Sequence, residues 1–128
     1  MKTTENYLNV AHANDLQWKK DLEFYKDEIK ILRNRLNEVS AKNTSKEIKM
    51  MVSHFENQFI INDELIDELD HEINLKEDSI TEEIKKDPTA YVHKLTYKYA
   101  ELKGKIDIFK KLFSELKKAF NKFLSETM

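Results

Sequence analysis

The sequence predicts an all-α protein: an antiparallel, up-down-up bundle of three long helices with coiled-coil-like heptad packing. Three observations carry this. Apolar residues recur at alternating three- and four-residue spacings in three separate segments, which keeps them on one stripe of a helix. The 128 residues include one glycine, Gly104, and one proline, Pro88, far too few for the frequent turns of a sheet protein. Helix-start signals stand at the joins between the segments.

The first stripe runs Trp18, Leu22, Tyr25, Ile29, Leu32, Leu36, Val39. It extends backwards to Ala11 and Leu8, but Asp15 interrupts it, so the first helix is expected over about 14–42, with Asn6 or Asn14 as alternative caps. Residues 1–13 then form a short N-terminal segment. The second stripe is Ile48, Val52, Phe55, Phe59, a polar Asn62, then Ile66, Leu69, Ile73. Thr44-x-x-Glu47 has the form of a capping box before it, which places this helix at about 45–77. Ser79-x-x-Glu82 is a second such box and predicts a break near Asp78, with a brief resumption from Ile80 to Lys86. The third stripe fills ten core positions without a polar residue: Val92, Leu95, Tyr99, Leu102, Ile106, Phe109, Phe113, Leu116, Phe120, Phe123. Asp87-Pro88 supplies a capping carboxylate and a first-turn proline, giving a helix at about 88–126. These are rods of roughly 42, 50 and 58 Å. Short joins make neighbours antiparallel, and the whole chain reads as a single domain.

Charge is unevenly spread. The net value of −2 divides into +2 over residues 1–53, −9 over 54–87 and +5 over 88–128. Folding the basic third helix against the acidic second is expected to favour that pairing and its register. Neither end is basic enough for a nucleic-acid footprint. Unbroken apolar runs such as Phe59-Ile60-Ile61 stop at three residues, where a membrane span needs about 20. The first twenty residues lack the apolar core of a secretory signal, so neither nucleic acid nor membrane is an expected partner, and a cytoplasmic location is expected.

Extra apolar residues widen each stripe: Phe24 and Ile31 on the first helix, Met51, Ile61 and Leu65 on the second, Ile108, Leu112 and Leu124 on the third. Such breadth suits a bundle core. Helices of unequal length leave the ends of the longest uncovered. Self-association is therefore expected, through the aromatic stripe Phe109, Phe113, Leu116, Phe120 and Phe123. The competing assignment is that these side chains fill an ordinary core.

Catalytic chemistry has little to stand on. A single glycine excludes phosphate-cradling loops, and the absence of cysteine excludes thiolate chemistry and cysteine-ligated metals. The serines fall in helices or at caps, so no catalytic residue and no cofactor is expected. The one metal-like stripe is Glu64, Glu68 and His71, at i, i+4 and i+7 of a helix. Glu68-x-x-His71 resembles the Glu-x-x-His motif of carboxylate-bridged di-metal four-helix bundles. That pattern needs two such motifs and two further glutamates, and this chain has one, on outer heptad positions. A solvated acidic flank is the favoured reading. Glu28 and Arg35 flank the first stripe as His54 and Gln58 flank the second. If those flanks face each other, a buried polar network that includes core Asn62 would set the register of the pair.

The functional expectation is a non-enzymatic structural or protein-interaction bundle that forms homo-oligomers. A metal-binding bundle completed across chains and a helical adaptor with a protein partner are the alternatives.

Overall fold

The computed structural model describes the backbone of residues 2–127, and the side chains within it except those of 2–7, 80–85, 88, 90 and 91. Three α-helices account for nearly all of it: α1, Lys2–Lys42; α2, Lys46–Lys86; α3, Pro88–Thr127. The joins are Asn43–Ser45 and the single residue Asp87. At the first, the Asn43 side chain donates to the carbonyl of Val39 at 2.8 Å and so satisfies an orphan acceptor at the end of α1. The Ser45 carbonyl accepts the Lys49 amide at 3.0 Å, which makes Ser45, not Thr44, the capping residue of α2. At the second, Pro88 has no N–H to give and disfavours helical geometry at the residue before it, so the break falls at Asp87.

The order of the cross-helix pairs sets the topology. His12 meets Glu77, Asp15 meets Lys76, Lys26 meets Asp67 and Arg33 meets Glu56, so α2 descends as α1 rises. Glu72 meets Lys105 and Phe59 meets Phe120, so α3 reverses again. The chain goes up, down and up. Its core is the predicted stripes: Leu22, Ile29, Leu36 and Val39 of α1, Phe59 and Ile73 of α2, and Ile106, Phe113 and Phe120 of α3 are almost wholly buried. Phe120 packs edge-on against Phe59 at 5.1 Å and Phe55 at 5.2 Å between ring centroids. Tyr25 does the same against Phe109 and Phe113. Such aromatic pairs add about 0.5–1.5 kcal/mol each beyond their area burial.

Three expectations are corrected. The helices are not unequal: they contain 41, 41 and 40 residues, rods of about 60 Å, and α1 takes in what was expected to be a separate N-terminal segment. The stripe continues through Asp15 because a partner on α2 accepts its charge. There is also no break at Asp78. Ser79 returns its hydroxyl to the Lys76 carbonyl at 2.8 Å, a bond available inside a helix, so Ser79 caps no helix start. Finally, acidic α2 and basic α3 seldom pair directly. Among the described residues one ion pair, Glu72–Lys105 at 2.9 Å, joins them. Helix α1 mediates instead, giving Lys26 and Arg33 to α2, and Asp21 and Glu28 to Lys110 and Lys117 of α3.

Candidate functional site

That division of charge leaves the three seams of the bundle unlike one another. The α1–α2 and α1–α3 seams are laced by ion pairs. Along the α2–α3 seam, the half towards the end of α3 is apolar and open. A groove of about 940 Å³ runs there, lined on α2 by Ile48, Met51, Ile61 and Leu65 and on α3 by Leu112 and Leu116. Ile61 and Leu112 are about half exposed, at 48% and 51%, although both are large aliphatic side chains. Met50 and Ile108, on the same two helices, are also exposed. A contiguous apolar surface of this kind on a helical bundle is the usual mark of an interaction site.

Most of the aromatic stripe lies beneath the surface, and only Leu116 and Phe123 of it reach the groove. Phe109, Phe113, Phe120 and Phe123 are buried by α1 and α2 within the single chain, and Leu116 is half-buried at the groove floor. These rings are core within the single chain, as the competing assignment has it. The surface that remains is the off-stripe set that widens the helices.

The proposed polar network does not assemble. Glu28 ion-pairs with Lys117 of α3, and exposed Arg35 lies along the same α1–α3 side. His54 and Gln58 border the α2–α3 groove, and the His54 ring packs edge-on against Phe55 at 5.3 Å. The two flanks turn towards opposite sides of α3, so they never meet. Asn62 is buried, but its amide donates to the Gln58 carbonyl of its own helix at 2.7 Å. Glu64, Glu68 and His71 are all exposed on α2, and no group of three His, Asp or Glu among the described residues is placed to hold a metal ion. No helix is long and apolar enough to cross a membrane, among the described residues.

The polar cluster that does form was not foreseen. Asp15 and Lys76 are 1% and 3% exposed, and Lys76 Nζ donates to Asp15 Oδ1 at 2.6 Å. The ammonium group lies over the faces of Trp18, at 5.3 Å, and Tyr99, at 5.8 Å, rings that stack on each other 5.1 Å apart. Beside the pair, His12 Nδ1 is 3.1 Å from both carboxylate oxygens of Glu77. Burial, and then the hydrogen bond with Glu77, push the Asp15 carboxyl up to about 6 against the pull of Lys76. Burial also acts to raise Glu77, but its hydrogen bonds with Asp15 and His12 and the nearby positive charges outweigh that, holding it below its ordinary value. A signal existed in the sequence: both residues fall on the core register, Asp15 between Ala11 and Trp18, Lys76 three after Ile73. Opposite charges at two core positions of antiparallel neighbours are each other's natural partners.

No family model matches the chain, and no curated protein or solved structure shows a significant match to it.

Proposed function

We propose that this protein is a non-enzymatic helical bundle that self-associates through the open half of its α2–α3 seam, in a cytoplasmic structural or scaffolding role. One observation carries the reading: aliphatic side chains, Met51, Ile61, Leu65 and Leu112, stand in a groove that the chain's own third helix leaves uncovered. The occupant is a second copy. Beyond the groove, whose own lining carries Glu47, Glu115, Lys122 and Glu126, α2 is acidic from Asp63 onwards and α3 is basic, so a two-fold axis along the helices, setting each α2 over the partner's α3, brings opposite charges together. An axis across the helices would stack acid on acid.

Sedimentation equilibrium is the test. The wild-type chain should sediment at twice its 15.3 kDa mass at micromolar concentration. Ile61→Glu and Leu112→Glu alter exposed positions, so each should leave helicity intact and give the single-chain mass. A wild-type protein that stays at the single-chain mass throughout overturns the reading.

A further inference from the structure

We propose that Asp15, Glu77 and His12 form a proton-binding site that latches the Asp87 end of the bundle, with Lys76 as its fixed counter-charge. The site is independent of self-association, because it lies at the opposite end of the rods from the groove.

The geometry contains an unsatisfied atom. Lys76 occupies Asp15 Oδ1, while Asp15 Oδ2 is buried with no hydrogen-bond donor. Buried acceptors are nearly always paired, so such an atom calls for a missing donor. The acid beside Asp15 is Glu77, next in sequence to Lys76 and close enough to help push the Asp15 carboxyl up. Two carboxylates can share a hydrogen bond only through a proton. With that proton on Asp15 Oδ2, Asp15 donates to Glu77, Glu77 stays ionised against His12, and every member of the chain Lys76–Asp15–Glu77–His12 has a partner. Without it, two carboxylates stand together, Asp15 wholly buried and Glu77 about a quarter exposed, with Lys76 as the buried cation beside them.

Among the described residues, no other charged group supplies the missing donor. From α3, Tyr99 offers its ring face to Lys76, while Lys98, Glu101 and Lys105 line a separate opening on the far side of Lys76, where Lys105 is held by Glu72 of α2. From α1, His12 is engaged with Glu77.

The sign follows from the two carboxyls. Asp15 is raised in the folded chain, so its stabilisation is complete below its ordinary value of 3.8 and is lost as pH rises through about 6. Glu77 is depressed, so its stabilisation is present above its ordinary value of 4.5 and is lost as pH falls through its lower folded value. The latch is therefore tightest in mildly acidic solution and loosens towards neutrality, while the aromatic end stays packed.

Trp18 is the chain's one tryptophan and stacks at the cluster, so its fluorescence reads the site directly. A titration from about pH 4.5 to 8 should show one transition with its midpoint near 6. Asp15→Asn puts a permanent amide donor where the proton sits and should abolish the transition. Glu77→Gln provides a donor to Asp15 from the other side and should move the midpoint at least tenfold in proton concentration towards acid. It also serves if the first variant does not fold. His12→Ala should leave a transition in place. A flat wild-type curve, or a transition that survives Asp15→Asn and disappears in His12→Ala, overturns the proposal.

Discussion

Asp15 and Lys76 occupy positions whose neighbours along the stripe are Ala11, Trp18, Leu69 and Ile73. Taking two charges out of water costs several kcal/mol each, and their attraction regains this only with good geometry. Here one carboxylate oxygen lacks a partner, which makes the pair a poor source of stability. Replacing both at once, as Asp15→Leu with Lys76→Met, should leave the bundle as stable as wild type at neutral pH or more so by about 1–4 kcal/mol. Lys76→Met alone strands the carboxyl and should destabilise, by less at pH 5 than at pH 8 because Asp15 can then take a proton. Urea unfolding of the two single variants and the double variant closes the cycle. A double variant markedly less stable than wild type would mean that the pair is a net stabiliser. The apolar core offers the contrasting case. Phe113 is buried among Tyr25 and Phe109, so Phe113→Ala should cost about 3–5 kcal/mol.

At the scale of the helix, Gly104 sits inside α3 two residues from each of buried Leu102 and Ile106, and faces solvent. A methyl group there would meet no atom within 4 Å. Gly104→Ala should therefore stabilise by up to about 1 kcal/mol through helix propensity alone, read as a rise in the urea midpoint at unchanged slope. The same helix shows how far sequence carries. Its apolar stripe, and those of α1 and α2, are one-dimensional patterns with a fixed period, and Leu22, Ile29, Phe59, Ile106 and Phe120 are buried where that period puts them. Helix ends are harder, because one hydrogen bond decides them: Ser45 caps in place of Thr44, and Ser79 bonds within its own helix. Flank contacts are harder still. Whether Glu28 turns towards α2 or α3 depends on the rotation of α1 about its axis, which the stripe's width does not define. Glu28 goes to Lys117, and the network expected around His54 and Gln58 has no first member. Asp15 interrupts an apolar pattern, which reads as a boundary until Lys76 is seen to hold the matching position.

The whole molecule is a rod, and its surface says so. The accessible area is 8682 Å², against about 7100 Å² for a compact protein of this mass. Long parallel seams with a single layer of core expose more surface than a sphere does, which is why 36% of the residues are charged and why α1 must neutralise both of its neighbours. The shape also sharpens the test of self-association. A compact chain of this length would have a radius of gyration near 14 Å, whereas a three-helix rod about 60 Å long should give about 18–19 Å. Docking two copies along their α2–α3 seams, with the two-fold axis parallel to the helices, doubles the mass but hardly the length, and should raise the radius to only about 21 Å. Joining them end to end would nearly double the length and exceed about 30 Å. Small-angle scattering on the wild-type protein, with Leu112→Glu as the single-chain reference, separates these cases. A dimer with a radius beyond about 30 Å would move the interface from the groove to the tips of the rods.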